Sequence, residues 1–530
     1  MTDQTIPTTL AAGGSLVQHV GWLALAPALI PAAGAVVVLL ADLFLPPARK
    51  ALLGWTTAAA LALALLALIP LRAGDRATFC LGGADGSCSY VADHFTLVFQ
   101  LLALGGALLT ALMSVPAVER AGLPAGEFWF LLLSTATGAA LLPAARDLAT
   151  LVVALEVTTL PSFALVGLRR DGRGGEAALK FFLSSVTATA VMLLGVSFVY
   201  GATGTLYLDR IAPALAHLPA QLSTLAEAGA VLTLVGFAFK VAAVPFHFWV
   251  PDTYVGAPVP VAGYLSVVGK AAGVAGLALV TQRAFTPYGH IWGTVLAVLA
   301  AATMTVGNAA ALRQRTGGPD SAVRLLAWSS VGQAGYLLVP LAAAGWSGGA
   351  AHDALGATAA YALVYGVVNL GAFAVVTGAD PAGRRGLRID DQRGLFARRP
   401  SAALSLAFFL LCLAGLPPGV VGLFGKVVVF RAAVDAGLGW LAVVMALNVV
   451  VALYYYVLWT ARLFTPAAEA PGASADAPVS GGAAGAAEAR AGAVSVPLAT
   501  GVALAVALAV LLSVYPQLVL QVASGTLFTP

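Results

Sequence analysis

Long apolar runs separated by short polar segments make up most of this 530-residue chain. Each run holds about 20 residues, which is the length that an α-helix needs to cross the hydrocarbon core of a bilayer. The pattern therefore predicts an all-α polytopic membrane protein with about fourteen transmembrane helices. The predicted spans are residues 22–45, 51–71, 93–115, 127–144, 147–168, 176–201, 227–248, 258–281, 289–312, 322–344, 353–377, 401–430, 436–464 and 495–516.

Two of these spans contain prolines that would break a membrane helix. Pro245 lies in the span at 227–248, and Pro417 and Pro418 lie in the span at 401–430, five spans later. Because five is odd, the two broken helices cross in opposite directions, which is typical of two inverted repeats of five helices. The predicted units are three N-terminal helices (1–120), a first repeat with helices 4–8 (121–285), a second repeat with helices 9–13 (286–465), a disordered cytoplasmic linker (466–493) and the last helix (494–530).

Composition agrees with a membrane protein, because 60% of the residues are hydrophobic and only 9% are charged. The net charge of +4 does not indicate nucleic-acid binding, since most of the basic residues lie in short loops between apolar runs. The sequence has no HExxH or P-loop motif, so it predicts neither a metal site nor a nucleotide site. Cys80 and Cys88 lie in a predicted external loop, where an oxidising compartment permits a disulfide, but their spacing alone leaves the pairing open.

The basic residues in the loops predict the orientation. If the spans alternate, the loops on one side carry seventeen arginines and lysines and the loops on the other side carry six. Cytoplasmic loops of membrane proteins are enriched in such residues. The sequence therefore predicts that both termini lie on the outer side of the membrane.

Lysines and arginines are distributed differently along the chain. Four of the five lysines fall inside predicted spans, whereas none of the 22 arginines lies well inside one. An ammonium group in hydrocarbon costs roughly 2.5–3.5 kcal/mol by insertion scales, and a desolvated lysine can release its proton while an arginine cannot. Lys240, Lys270 and Lys426 are therefore predicted to carry protons. Lys180 lies just inside its span, where it either joins them or extends to the interface.

Two further titratable residues are candidates for the same path. Glu156 is the only acidic residue in the middle of a predicted span. It either forms an ion pair with a lysine, whose separation would release a proton, or is a neutral acid bonded to a neighbouring helix. His247 lies near the cytoplasmic end of its span, where it either passes protons to the lysines or ties down the broken helix.

Several segments between residues 90 and 465 resemble those of a known family. They include LEVTTLPSFALVGLRR, FAFKVAAVPFHFWVPDTYVGAPVPV, LAWSSVGQAGYLLV and LAGLPPGVVGLFGK, and the part PFHFWVPDTYVGAP is highly specific. The chain resembles the antiporter-like membrane subunits of respiratory complex I, the proton-pumping NADH:quinone oxidoreductase, and most of all the fourteen-helix member of that group.

The resemblance implies roles for individual residues. Glu156 would be the fifth-helix glutamate and Lys240 the seventh-helix lysine paired with it. Lys270 would be the central eighth-helix lysine, and Lys426 the twelfth-helix lysine at the outlet. Lys180 matches a sixth-helix lysine of the same group.

The resemblance also implies what surrounds this chain. Gln333 stands where relatives often have a histidine, so it could relay protons only by holding water. The chain itself would bind no cofactor, because NADH, flavin, iron–sulfur clusters and quinone would belong to partner subunits. The partners would be other complex I membrane subunits in the cell's inner membrane. Two alternatives remain open, a subunit of a multisubunit cation/proton antiporter and a membrane scaffold that does not pump.

Overall fold

The computed structural model describes residues 20–81, 86–346, 351–379, 387–466 and 495–524. Most of these residues lie in α-helices that pack around one large hydrophobic core. The structure therefore confirms the predicted all-α fold. The predicted linker lies outside the described residues, apart from its first residue.

Thirteen helical spans in the described part of the chain are long and apolar enough to cross a membrane. They match all the predicted spans except the twelfth, which consists of two shorter helices with a break between them. The helices up to the middle of the chain are α1 (Trp22–Phe44), α2 (Ala51–Leu66), α3 (His94–Arg120), α4 (Ala125–Leu141), α5 (Leu148–Gly167), α6 (Gly172–Thr203), α7 (Leu208–Ala216), α8 (Ala220–Val241), α9 (Trp249–Gly256), α10 (Val259–Tyr264) and α11 (Lys270–Leu279).

The second half of the chain continues the same arrangement of long helices. Where the two five-helix units begin and end stays a prediction. The helices are α12 (Gly289–Leu312), α13 (Ser321–Ala344), α14 (Ala351–Gly378), α15 (Leu395–Arg398), α16 (Pro400–Ala414), α17 (Val420–Asp435), α18 (Gly439–Phe464), α19 (Val496–Val514) and α20 (Gln517–Ser524).

Both predicted helix breaks are present. Helix α8 ends where Ala242 adopts a left-handed conformation (φ 66°), and Pro245 follows. The backbone N–H of Val244 lies beyond the last helical turn and donates to Thr303 Oγ1 at 2.9 Å, so a side chain from α12 satisfies it. Helix α16 ends at Gly415 (φ 86°), and the Pro417–Pro418 peptide follows. The Val244–Pro245 and Pro417–Pro418 peptide bonds are both cis.

The eighth predicted span is irregular in a way that the sequence did not indicate. Two π-helical turns, Leu265–Gly269 and Val280–Ala284, interrupt it. The first ends directly before Lys270, which begins α11. Single π-turns inside α-helices are frequent at functional sites.

A disulfide-linked β-hairpin covers one end of the helical bundle. Strands β1 (Arg76–Cys80) and β2 (Cys88–Ala92) pair in antiparallel fashion, and Cys80 and Cys88 form a disulfide. Tyr90 on β2 is buried and accepts a hydrogen bond from Gln100 Nε2 at 3.2 Å. Burial raises the pKa of Tyr90 to about 12, so its phenol stays neutral near pH 7. The disulfide between Cys80 and Cys88, which their spacing alone left open, is therefore formed.

A buried ion pair lies beneath this hairpin. Arg146 Nη2 is 2.5 Å from Asp93 Oδ2, and Arg283 Nη2 is 3.9 Å from the same oxygen. Asp93 also caps α3, because its side chain accepts the backbone N–H of Thr96 at 2.9 Å. We call this end of the bundle the hairpin face.

The opposite end carries the loops in which most arginines lie, and we call it the arginine-rich face. Arg173 in the first turn of α6 has its Nη1 3.4 Å from Oδ2 of Asp320, which directly precedes α13. Arg462 in the last turn of α18 pairs with the carboxylate of Asp390, in the segment before α15. Basic residues therefore cluster at the ends of the bundle as the alternating spans predict.

Candidate functional site

Lys270 lies in the centre of the bundle, with only 1% of its surface exposed. Its ammonium group donates hydrogen bonds to the backbone carbonyl of Ser330 and, at 3.1 Å, to Ser330 Oγ. Both acceptors belong to α13, so this lysine joins the eighth and tenth predicted spans. The contact supplies partners to a charge that would otherwise be unsatisfied in an apolar interior.

Lys426 is similarly buried, with 4% of its surface exposed. Its ammonium group donates to the carbonyls of Leu413 and Ala414, each at 2.8 Å, and lies 5.7 Å from the centre of the Tyr336 ring. These carbonyls end α16 and have no partner within that helix, because the chain breaks after them. The negative end of a helix favours a cation. The broken helix and the buried lysine therefore form one site.

Polar side chains connect the surroundings of these two lysines. Ser329, beside the serine that Lys270 contacts, forms a hydrogen bond with the Tyr456 hydroxyl. Gln333 Nε2 donates to that hydroxyl at 3.3 Å and to the Leu413 carbonyl at 3.5 Å. The Tyr361 hydroxyl donates to Gln333 Oε1. Hydrogen-bonded polar groups thus lead from Ser329, next to Ser330 in α13, to the Leu413 carbonyl that holds Lys426.

Lys240 lies in the last turn of α8 and is 5% exposed. Its ammonium group lies 5.6 Å from the centre of the Phe181 ring, a cation–π distance. Within the described parts of the chain, no carboxylate lies within 4.0 Å of it. A methyl group at Gly273 would lie 3.0 Å from Lys240 Cβ, so this glycine lets α8 approach α11 one turn from Lys270.

Glu156 does not form the expected direct ion pair with Lys240 in this structure. Its carboxylate accepts a hydrogen bond from Thr189 Oγ1 of α6 at 2.7 Å. No carboxylate oxygen of Glu156 lies within 4.0 Å of the Lys240 ammonium group, so the two residues are apart in this structure.

Lys180 lies apart from the three buried lysines. Its side chain is 49% exposed and pairs with Glu176 at 2.7 Å and Asp252 at 3.0 Å. Arg324 approaches the same Asp252 at 3.8 Å. The structure places this cluster at the arginine-rich face, which agrees with a lysine that extends to the interface.

His247 lies in the break between α8 and α9 and is half-buried. Its ring centre is 5.6 Å from that of Trp328 on α13. In the described part of the protein, its Nδ1 is buried without a hydrogen-bond partner. This position suits both roles that the sequence left open, which are passing protons to the central lysines and tying down the broken helix.

Several further polar residues line the same interior, and the sequence alone did not indicate them. Asn369 is fully buried and donates to Ser266 Oγ at 2.6 Å, and the Tyr365 hydroxyl donates to the Ser266 carbonyl at 3.1 Å. Tyr361 and Tyr456 are also buried, and both form hydrogen bonds with Gln333. Polar residues in the middle of an apolar span are the signal that could have identified them.

Acidic, histidine and cysteine side chains form no group of three that could hold a metal ion in the residues that the structure describes. Cys412 is buried as a free thiol.

The fold and the three buried lysines define a helical membrane protein of the antiporter-like class. The family model named "NADH:quinone oxidoreductase/Mrp antiporter, TM" matches residues 145–452. This match covers more than half of the chain, which therefore belongs to that family. The predicted resemblance to its fourteen-helix member, subunit N, is confirmed by the following comparisons.

Two relatives are similar over most of the chain. NADH-quinone oxidoreductase subunit N 2 of Streptomyces griseus is 61% identical over 99% of this chain and 99% of its own length. One chain of respiratory complex I from Thermus thermophilus with bound aureothin is 33% identical to this chain and superposes with a TM-score of 0.71. The match covers 94% of this chain and 100% of that chain. A chain of the Mrp complex from Dietzia sp. has a TM-score of 0.75 at 22% identity, with coverage of 95% and 96%, and shows the fold alone.

Proposed function

We propose that this chain translocates protons across the cell membrane as a subunit of a proton-translocating NADH:quinone oxidoreductase. The observation that carries the proposal is the burial of three lysines, none more than 5% exposed, inside membrane-spanning helices. Apolar side chains would hold these helices together as well or better, because buried charges rarely contribute net stability. Proton transfer gives a reason for the three lysines to be buried there.

The contacts support one order for the path. A proton would enter from the arginine-rich face, past His247 in the helix break, and reach Lys240. It would pass to Lys270 and move along the hydrogen-bonded groups of α13 to Lys426. It would leave at the hairpin face, which we propose is the outer side of the membrane, with both termini on that side. Water would fill the steps between side chains that do not touch.

Glu156 would control the first step of this path. A carboxylate favours a nearby ammonium and loses this effect with distance. Movement of α5 or α6 that brings Glu156 towards Lys240 would hold the proton there, and its withdrawal would release the proton towards Lys270. The present separation, beyond 4.0 Å with a hydrogen bond to Thr189, fits a state in which the pair is apart.

The energy for this cycle would come from outside the chain. We propose that partner subunits carry NADH, flavin, iron–sulfur clusters and quinone, and that this chain performs no redox chemistry. Its direct partners would be other complex I membrane subunits in the cell's inner membrane. The supporting comparison is with subunit N 2 of S. griseus, which is similar over nearly its whole length.

The test uses Lys240→Met and Lys270→Met in the assembled complex, reconstituted in vesicles and supplied with NADH and quinone. Methionine keeps a similar volume and removes the titratable group. We expect each variant to assemble but to lose most proton translocation, measured with an internal pH-sensitive dye. Lys50→Met is the matched control, because Lys50 pairs with Asp42 at 2.9 Å outside the path.

The outcomes separate the three functions. Normal translocation in both variants would refute the proposal. Loss of assembly, with subunits missing from the purified complex, would support a scaffold. Transport that requires sodium, in a complex without flavin or iron–sulfur subunits, would support a cation/proton antiporter.

A further inference from the structure

An apolar cavity lies between α14, α16 and α19 at the arginine-rich face. Its volume is about 340 Å³. Helices α16 and α19 both pack against α14 but make little contact with each other. Small side chains on all three helices, including Ala374, Ala402 and Ala503, leave the space open.

The cavity has the depth of one leaflet of a bilayer. Its lining along α19 extends from Leu498 to Val506, or roughly 12 Å at the helical rise of 1.5 Å per residue. One leaflet contributes about half of a hydrocarbon core roughly 30 Å thick. An acyl chain that entered from the arginine-rich side would therefore lie along most of this lining.

The mouth of the cavity carries a positive charge. Arg399 lines it and uses one guanidinium N–H for the Gly378 carbonyl, at 3.3 Å. A guanidinium has five N–H donors, so others remain for a ligand. The first turn of α16, which begins at Pro400, opens beside it, and the free N–H groups of a helix start also favour an anion. No acidic residue is among the described residues that line the cavity.

Two serine hydroxyls in the cavity lack the usual partner of a hydroxyl in a membrane helix. Thr377 on α14 and Thr500 on α19 each donate to the carbonyl four residues earlier, at 2.8 and 2.9 Å. Ser401 and Ser405, one turn apart on α16, line the cavity. Neither makes a hydrogen bond to any residue that the structure describes. Their donors are therefore available to a molecule in the cavity.

We propose that this cavity binds an anionic phospholipid, with one acyl chain between α16 and α19 and the phosphate held by Arg399 and the serines. A guanidinium binds phosphate oxygens in bidentate fashion, which makes arginine well suited to this group. An anionic lipid such as phosphatidylglycerol adds no ammonium that would face the guanidinium.

The experiment measures the lipid that stays bound to the intact complex. The complex is reconstituted in nanodiscs of phosphatidylcholine and phosphatidylglycerol, extracted with detergent and analysed by quantitative mass spectrometry. Arg399→Gln is expected to lower the ratio of retained phosphatidylglycerol to phosphatidylcholine by about fivefold, the factor expected for one basic residue near anionic lipid. Ala503→Phe, which fills the cavity from an exposed position, is expected to remove the retained lipid of both kinds.

The control is Arg313→Gln, which removes the same charge from an exposed position on the same face. It is expected to leave the ratio unchanged. An equal decrease for Arg313→Gln and Arg399→Gln would show that the effect is general surface attraction and would overturn the proposal. Full lipid retention in Ala503→Phe would also overturn it. Loss of another subunit from either cavity variant, with lipid retention unchanged, would assign the cavity to a protein partner.

Discussion

Lys426 offers a direct test of whether the buried lysines carry protons or only hold helices together. Its ammonium group donates to the Leu413 and Ala414 carbonyls, both at 2.8 Å. An arginine in its place would keep the positive charge and could donate to the same carbonyls. A guanidinium, however, does not give up its proton in a protein. Lys426→Arg therefore keeps the structural role and removes the proton-carrying role.

The expected magnitudes differ greatly between the two roles. A hydrogen bond from a charged group contributes about 1.5–3 kcal/mol, so the two carbonyl contacts are worth roughly 3–6 kcal/mol, and arginine can retain them. The larger side chain costs about 1–3 kcal/mol in a packed interior, and Gly415 beside Lys426 leaves it some room. Assembly should therefore persist. The reference pKa of arginine exceeds that of lysine by at least about two units, so proton release should slow by at least ~100-fold.

The assay compares proton translocation per NADH oxidised in vesicles that contain the assembled complex. Lys50→Arg is the matched control, because Lys50 forms an ion pair with Asp42 near the membrane surface. We expect Lys426→Arg to assemble and to translocate few protons, while the control behaves as wild type. Translocation at the wild-type rate in Lys426→Arg would refute the reasoning, because it would show that Lys426 need not lose its proton.

Three further substitutions test neighbouring features. Gln333→Leu should slow translocation at least tenfold, because it removes the acceptor of the Tyr361 hydroxyl and breaks the link from Tyr456 to the Leu413 carbonyl, whereas Gln333→His should retain most activity. Stopped-flow measurements of internal pH would compare the two variants, and equal activity would contradict the path. Asp93→Asn should destabilise the protein by about 3–5 kcal/mol, because the buried charge of Arg146 loses its neighbouring carboxylate, and a melting temperature equal to wild type would contradict this. Cys80→Ser with Cys88→Ser should cost at most about 2.5 kcal/mol and leave translocation unchanged, and loss of translocation would instead give the hairpin a functional role.

The spans and their breaks were predictable because both depend on local chemistry. An apolar run of about 20 residues needs no information about its neighbours to indicate a membrane helix. Proline lacks a backbone N–H, but Pro161 and Pro340 lie inside continuous helices, so a proline alone does not mark a break. Pro245 and Pro417 stood out because a buried lysine lies in the same span. The hairpin at residues 76–92 was not predicted, since its strands are short and depend on pairing with each other and on the disulfide.

The identities of the lysines were predictable, but their partners were not. Each lysine stands out from the apolar residues around it, whereas its acceptors come from helices far away in sequence. Lys270 meets Ser330, sixty residues later, and this serine resembles many others in the chain. The same limit explains Glu156, whose contact with Thr189 could not be read from either helix alone. The π-turn before Lys270 depends on packing in the same way.

The surroundings of the lysines differ in a way that bears on the direction of the proposed path. Lys240 has the face of an aromatic ring near its ammonium group, and Glu156 beyond contact distance. Lys426 has two carbonyls at the end of a broken helix. The contacts therefore hold the protonated form more firmly at Lys426 than at Lys240, and a change at the Pro417 break or at those carbonyls would release the proton there. Under the proposed function, redox energy should thus act on the α16–α17 junction as well as on the contact between Glu156 and Lys240.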